Sequence, residues 1–212
     1  MNIEYPDSHA LSRKGYLIGI EGIDAVGKQT QSALLDSWLK RNGYDSTLLS
    51  FPDYRTPIGR QIKGFLSGGL DLPPQVRHLL FAANRWEKAS YIRRRKSEGA
   101  VVIVNRYTES NVAYGIANGM AVDWLLGLET GIPKTNLVIV LDAPAPVLVS
   151  RRPGKDAYEK DNNLQRKTRR IYRSLAPRFG WHVVDATGTI EEVNGAIVAI
   201  VEKALRGQKR RS

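Results

Sequence analysis

The chain has 212 residues, 42% of them hydrophobic, enough to bury one sizeable α/β core, and no long Pro, Gly or Ser tract marks a second domain within 1–212. It has no cysteine, which excludes disulfides, thiol-based metal sites and a thiol nucleophile; its apolar stretches fall short of the roughly twenty residues of a membrane span, and its first fifteen residues are too polar for a secretory signal, so a soluble, cytoplasmic protein is expected. Thirty-two Lys and Arg against 21 Asp and Glu give a formal charge of +11, which attracts polyanions, whether nucleic acid or phosphorylated small molecules.

Tyr16 to Ile20 reads as a first strand, ending at Glu21 and followed by Gly22-Ile23-Asp24-Ala25-Val26-Gly27-Lys28 and a helical pattern. Strand, glycine loop and helix in that order make a phosphate cradle. Gly22 and Gly27 let successive N–H groups turn inward, the helix N-terminus adds partial positive charge, and Lys28 can reach the outer phosphates of a nucleoside triphosphate. The strict pattern places Ser or Thr after the lysine to hold magnesium; here Gln29 stands there and the hydroxyl comes one position later, at Thr30. Leu34, Leu35, Trp38 and Leu39 continue the helix to Asn42-Gly43, and Ser46 to Ser50 reads as a second strand, with Phe51-Pro52-Asp53-Tyr54-Arg55 behind it.

Pro73-Pro74 opens a long helix to about Lys96, ending in the basic run Arg93-Arg94-Arg95-Lys96, whose cations suit a helix C-terminus. Phe81 and Arg85 share a face of it, offering either a ring and a planar donor fork to a nucleobase or an ordinary core and surface pair. Three more apolar runs read as strands: Ala100 to Val104, followed by Asn105-Arg106-Tyr107; Leu137 to Leu141, followed by Asp142 and then Arg151-Arg152-Pro153-Gly154-Lys155; and Trp181 to Val184. Helices are expected over 111–118, 121–130, 144–150, 159–175 and 190–206, with Pro177 breaking the chain before the last strand. Apolar strands alternating with helices imply an α/β fold, a five-stranded parallel sheet with helices on both faces, and ligands beyond the carboxyl ends of the strands.

The segments Glu21 to Gln31, Phe51 to Gly59, Leu79 to Glu87, Asn105 to Tyr114 and Gly131-Ile132-Pro133-Lys134 resemble, in order and spacing, the thymidylate kinases. The resemblance spans about nine tenths of the chain and implies a P-loop kinase fold with a short lid at 150–158; residues 1–14 are read as an N-terminal extension and 207–212, with the run Lys209-Arg210-Arg211, as a basic tail. It implies transfer of the γ-phosphoryl group of ATP, with Mg2+, to dTMP, a cytoplasmic homodimer, and nucleotides rather than nucleic acid as partners. ATP would lie on Gly22, Ile23, Asp24, Ala25, Val26, Gly27, Lys28, Gln29 and Thr30, with Arg151 beside it. Phe81 resembles the ring that stacks on thymine, Arg85 the donor to its exocyclic oxygen, Asn111 a reader of the base edge, Tyr114 the aromatic that crowds the second sugar hydroxyl position, and Asp24 the acid on the sugar hydroxyl. Arg106 matches the arginine that grips the acceptor phosphate; Phe51, Tyr54, Arg55, Asn105 and Tyr158 complete the implied acceptor site, Tyr54 standing where some members carry arginine, so that Arg55 or the tyrosine hydroxyl takes that contact. Asp156, Tyr158 and Glu159 resemble the start of the helix after the lid.

The chemistry suits these residue types. A phosphate acceptor, with a second ionisation near about 6, is already an anionic nucleophile at neutral pH, so alignment and dispersed positive charge suffice. The implied catalytic set is Lys28, Arg106, Asp24, Arg152 and Lys155, and because the phosphate loop carries Ala25 where some members place an arginine finger, the finger falls to Arg151, Arg152 or Lys155 of the lid, which Gly154 would let close. Asn105 departs from the family's usual aspartate and cannot be a charged magnesium ligand, so no metal ligand is assigned. Two rival readings are a deoxynucleoside kinase with Asp53 as general base and a weakly catalytic P-loop protein that binds nucleic acid through its basic surface.

Overall fold

The computed structural model describes residues 15–144, 147–148 and 161–209. Strand β1 (Tyr16–Glu21) leads through the glycine loop into helix α1 (Lys28–Arg41), and β2 (Ser46–Ser50) follows. Helices α2 (Pro57–Leu66) and α3 (Pro74–Ser97) precede β3 (Val101–Asn105); α4 (Thr108–Ala117) and α5 (Val122–Leu128) precede β4 (Leu137–Asp142). Helix α6 (Asn162–Phe179), β5 (His182–Asp185) and α7 (Ile190–Lys209) close the described chain.

The five strands form one parallel sheet in the order β2-β3-β1-β4-β5, as the alternation of apolar runs and helices implied. Its central strands are buried on both faces because side chains alternate along them. Ile18, Ile20, Val101 and Ile103 pack with Leu35 and Leu39 of α1 and with Val193, Ile197 and Val201 of α7, while Leu17, Val102 and Val104 pack on the other face with Ile92 of α3. This parity matters for the site: Asn105, at the end of β3, shares the α1 face with Val101 and Ile103.

The structure departs from the sequence reading at particular places. Helix α2 was not anticipated, although Thr56-Pro57 is a helix start: Thr56 Oγ1 accepts the Gly59 N–H at 3.0 Å and Pro57 sits at the first helical position. The expected break at Pro177 does not occur. Helix α6 carries Pro177 in its last turn, exposed, and ends at Phe179 with Gly180 as a left-handed cap at φ 68°. Strands β3 and β5 each lie one residue later than their apolar runs suggested, and α4 begins three residues earlier, at Thr108. The helix expected over 144–150 falls largely outside the described residues, as do the N-terminal extension over 1–14, the lid with Arg151, Arg152, Gly154, Lys155, Asp156, Tyr158 and Glu159, and the last three residues of the basic tail. Of the basic run that ends α3, Arg95 pairs with Asp45 and Glu98, Arg94 approaches Glu98, and Arg93 donates to the Gly131 carbonyl.

Candidate active site

The carboxyl end of β1 feeds a loop whose backbone requires positive φ at Gly22 (133°), Ala25 (61°) and Gly27 (100°), after which α1 begins at Lys28. At Gly22 a side chain would also meet the Leu141 carbonyl at 2.5 Å, so this glycine is fixed by both conformation and space. Lys28 is buried and donates to the Ile23 carbonyl of its own loop at 2.7 Å, which holds the ammonium over the cradle. Gln29 and Thr30 lie exposed on the first turn of α1.

One strand away, the carboxyl end of β3 opens onto a cleft with about 600 Å3 of space, its mouth included, walled by Phe51, Tyr54, Phe81 and Tyr114 and by the polar groups of Asp24, His78, Arg85, Arg106 and Asn111. Of the residues assigned from the sequence to the acceptor, the cleft brings together Asp24, Phe51, Tyr54, Phe81, Arg85, Arg106, Asn111 and Tyr114. It does not include Arg55, whose side chain is 84% exposed and forks onto Asp53 at 2.8 and 3.0 Å; Tyr54 rather than Arg55 occupies the wall.

Arg106 is the hinge between the two halves. Its backbone is left-handed, at φ 63°, a strained conformation for a residue with a side chain. The guanidinium donates to Asp24 of the phosphate loop, to Ser110 Oγ at 3.2 Å and to the Tyr114 hydroxyl at 3.3 Å, and lies over the Tyr114 ring 5.1 Å from its centroid. Burial would raise the Asp24 carboxyl, but the charges of Arg106 and Lys28 and a hydrogen bond from Gln165 bring it down to about 2. Gln165 of α6, 141 residues away, receives the Asp24 N–H at 3.0 Å and donates to its carboxylate at 2.5 Å.

Beneath this arm lies Glu21, fully buried, which accepts from the Tyr107 N–H at 2.7 Å, from Ser110 Oγ at 2.5 Å and from the Tyr172 hydroxyl at 2.8 Å. The carboxylate thereby pins both the turn that carries Arg106 and the hydroxyl that supports its guanidinium. On the far wall, Arg85 is 3% exposed and forms a bidentate pair with Glu129, while Asn111 donates to Glu129 at 2.7 Å and accepts from His78 Nδ1 at 2.7 Å. Glu21, Glu129, His78 and Gln165 escaped sequence reading: each is a single polar residue whose partner lies far along the chain, and Glu21 alone had a signal, as the acid closing the first apolar run.

Asp53 is buried and held well below the usual carboxylate range, chiefly by the Arg55 hydrogen bonds, against burial and with help from Lys88 at 3.3 Å. A carboxylate held ionised in this way is a poor proton acceptor from a sugar alcohol, and Asp53 is not among the residues that wall the cleft, which counts against it as the general base of a deoxynucleoside kinase. For a metal, no group of three or more His, Cys, Asp or Glu side chains among the described residues could hold an ion. That donor set suits an ion carried mainly by nucleotide phosphates and water. The buried Asn105 Oδ1, on the α1 face, accepts no hydrogen bond among the described residues.

A loop able to cradle phosphates, joined by one arginine to an aromatic cleft on the neighbouring strand, places the chain among the P-loop nucleotide kinases. The sequence profile described as thymidylate kinase matches residues 20–197. The chain is 34% identical to human thymidylate kinase over 198 residues, covering 92% of this chain and 93% of the human one, and 35% identical to that of Schizosaccharomyces pombe, covering 89% and 92%. The solved structure of thymidylate kinase from Candida albicans superposes with a TM-score of 0.79 at 32% identity, over 91% of this chain and 94% of that one. This chain belongs to the thymidylate kinase family.

Proposed function

We propose that the chain transfers the γ-phosphoryl group of ATP to dTMP, giving dTDP and ADP, with ATP on the phosphate loop and dTMP in the cleft at the end of β3. The observation that carries this reading is Arg106, which reaches Asp24 of the phosphate loop from the floor of the acceptor cleft and so stands where a phosphate moving from one nucleotide to the other would pass. Phe81 supplies the face for the base, Tyr114 and Asp24 bound the sugar, and Arg106 grips the acceptor phosphate, with Tyr54 on the same wall. The acceptor needs no general base, so the protein's task is alignment and charge dispersal by Lys28, Arg106 and a lid cation, Arg151, Arg152 or Lys155. Magnesium would travel with ATP and neutralise the charge of its phosphates, with the exposed Thr30 hydroxyl as a neutral acceptor for its water.

A cytoplasmic homodimer accompanies this reading. Leu79 and Trp86, seven residues apart on α3, are 46% and 44% exposed, and Trp124 and Leu126 of α5 are also exposed, which supplies apolar surface for a twofold contact. Among the described residues, no helix is long and apolar enough to cross a membrane. The test is ADP release from ATP with magnesium, offering the monophosphates of thymidine, deoxyuridine, uridine, cytidine and adenosine, and bare thymidine. Turnover confined to thymidine and deoxyuridine monophosphates is expected; silence with all of them, from folded protein that binds ATP, would overturn the proposal.

A further inference from the structure

Glu129 does not line the acceptor cleft, yet it holds two residues that do. Its carboxylate accepts from Arg85 at both oxygens, from Nε at 3.1 Å and from Nη2, and accepts from Asn111 Nδ2 at 2.7 Å; its side chain is 8% exposed and that of Arg85 4%. A carboxylate paired with a guanidinium can only accept. The Asn111 amide must therefore turn its NH2 toward Glu129 and its carbonyl oxygen away from it. That oxygen meets His78 Nδ1 at 2.7 Å, so His78 carries its proton on Nδ1, and Nε2 accepts from Asn118 Nδ2 at 3.3 Å. His78 is fully buried, its ring set edge-on to Phe81 at 5.9 Å. Burial depresses its pKa to about 4, against the raising effect of the Asn111 bond, so the imidazole stays neutral and the tautomer stays fixed at physiological pH.

The arrangement has a consequence for recognition. The Asn111 oxygen keeps one lone pair beyond the His78 bond, and Arg85 keeps N–H groups beyond the two that face Glu129. A ring with a carbonyl next to an N–H, as in thymine or uracil, complements an acceptor beside a donor. Cytosine presents the reverse, an amino donor next to a bare ring nitrogen, and would set donor against donor and lone pair against lone pair. We infer that Glu129, with His78 behind Asn111, is a positioning residue that makes this cleft select an imide base and reject cytosine. The inference rests on the reading of the cleft as the nucleoside monophosphate site.

The test uses equilibrium binding of dTMP and dCMP to the full chain, with turnover measured in parallel. Glu129→Gln offers Asn111 an amide in place of a carboxylate, and His78→Phe removes the donor that holds the amide oxygen; each weakens the hold on the Asn111 amide. Folded variants should show the parent's dTMP-over-dCMP preference in Kd reduced at least tenfold, the loss being in base choice rather than in kcat for dTMP alone. Melting curves establish which variants fold, and if Glu129→Gln does not, His78→Phe decides. A folded variant that keeps the parent's binding ratio overturns the inference, as does a parent that binds the two monophosphates equally. A parent that prefers dTMP in binding but never phosphorylates it would defeat the proposed reaction and leave the base-selection test intact.

Discussion

Glu21→Gln is the substitution that separates the support of the site from its surface. The side chains are isosteric, so no cavity forms and packing is unchanged. The Tyr107 N–H, 2.7 Å from one oxygen, can only donate, so the carbonyl of the new amide must stay there. Its NH2 then faces Ser110 Oγ and the Tyr172 hydroxyl, which gave bonds of 2.5 and 2.8 Å to the carboxylate and must now turn to accept. Three charge-assisted bonds become ordinary ones, a loss of roughly 1 kcal/mol each, partly offset by relief of a buried charge. A net loss of about 1–2 kcal/mol lowers the melting temperature of a chain this size by roughly 2–8 °C. Ser110, reoriented, also loses its aim at Arg106 Nη1, so turnover with dTMP should fall about tenfold, roughly 1.4 kcal/mol in the barrier. Thermal melting by circular dichroism and steady-state ADP release measure the two effects. A variant that melts with the parent and turns over dTMP at the parent's rate would refute the reasoning.

Phe81→Ala and Arg106→Ala should each lower turnover with dTMP at least about tenfold in a folded protein, read by coupled ADP release. Asp53→Asn should leave a measurable dTMP rate, because Asp53 serves as anchor for Arg55 and Lys88 and not as a base; complete loss of turnover in a folded variant would contradict this. Glu109 is buried, with Thr135 Oγ1 on one oxygen at 2.6 Å and no partner among the described residues on the other, and burial with the nearby charge of Glu21 raises its carboxyl to about 7. Its native pKa exceeds its unfolded value, so between about pH 4.5 and 7 the native state binds the extra proton and stability falls as pH rises, by up to about 3 kcal/mol. Glu109→Gln should remove that contribution from the pH dependence of urea melts across the same window. His78, depressed to about 4, works in the opposite sense, its contribution lost as pH falls from 6.5 toward 4, so the variant should then show stability rising with pH there.

Much of the sheet was legible because parallel strands buried on both faces read as unbroken apolar runs, and β1, β2 and β4 fall almost where those runs do. Helix α2 was missed because Gly59, Arg60, Lys63 and Gly64 dilute its pattern, although Ile58, Ile62, Phe65 and Leu66 keep helical spacing. Pro177 misled because a proline in a last turn forfeits only one hydrogen bond, while Gly180 supplies the actual stop. At the site, the wall residues Phe81, Arg106 and Tyr114 were legible through resemblance, and Arg106 also through its place after a strand end. What lay beyond reach was the layer behind them. That Glu129 meets Arg85 44 positions away, or that Gln165 meets Asp24, depends on how α5 and α6 dock, and no local pattern encodes it.

The pairing of β1 with β3 sets Ile20 opposite Asn105, so the chain leaves the sheet for Asp24 and for Arg106 from neighbouring strands at the same level. The separation of the strand ends that carry the phosphate loop and Arg106 is thus set by the spacing of two hydrogen-bonded strands, about 4.8 Å, a length that thermal motion scarcely alters. Loops around the site can then vary while the separation of these two strand ends stays constant.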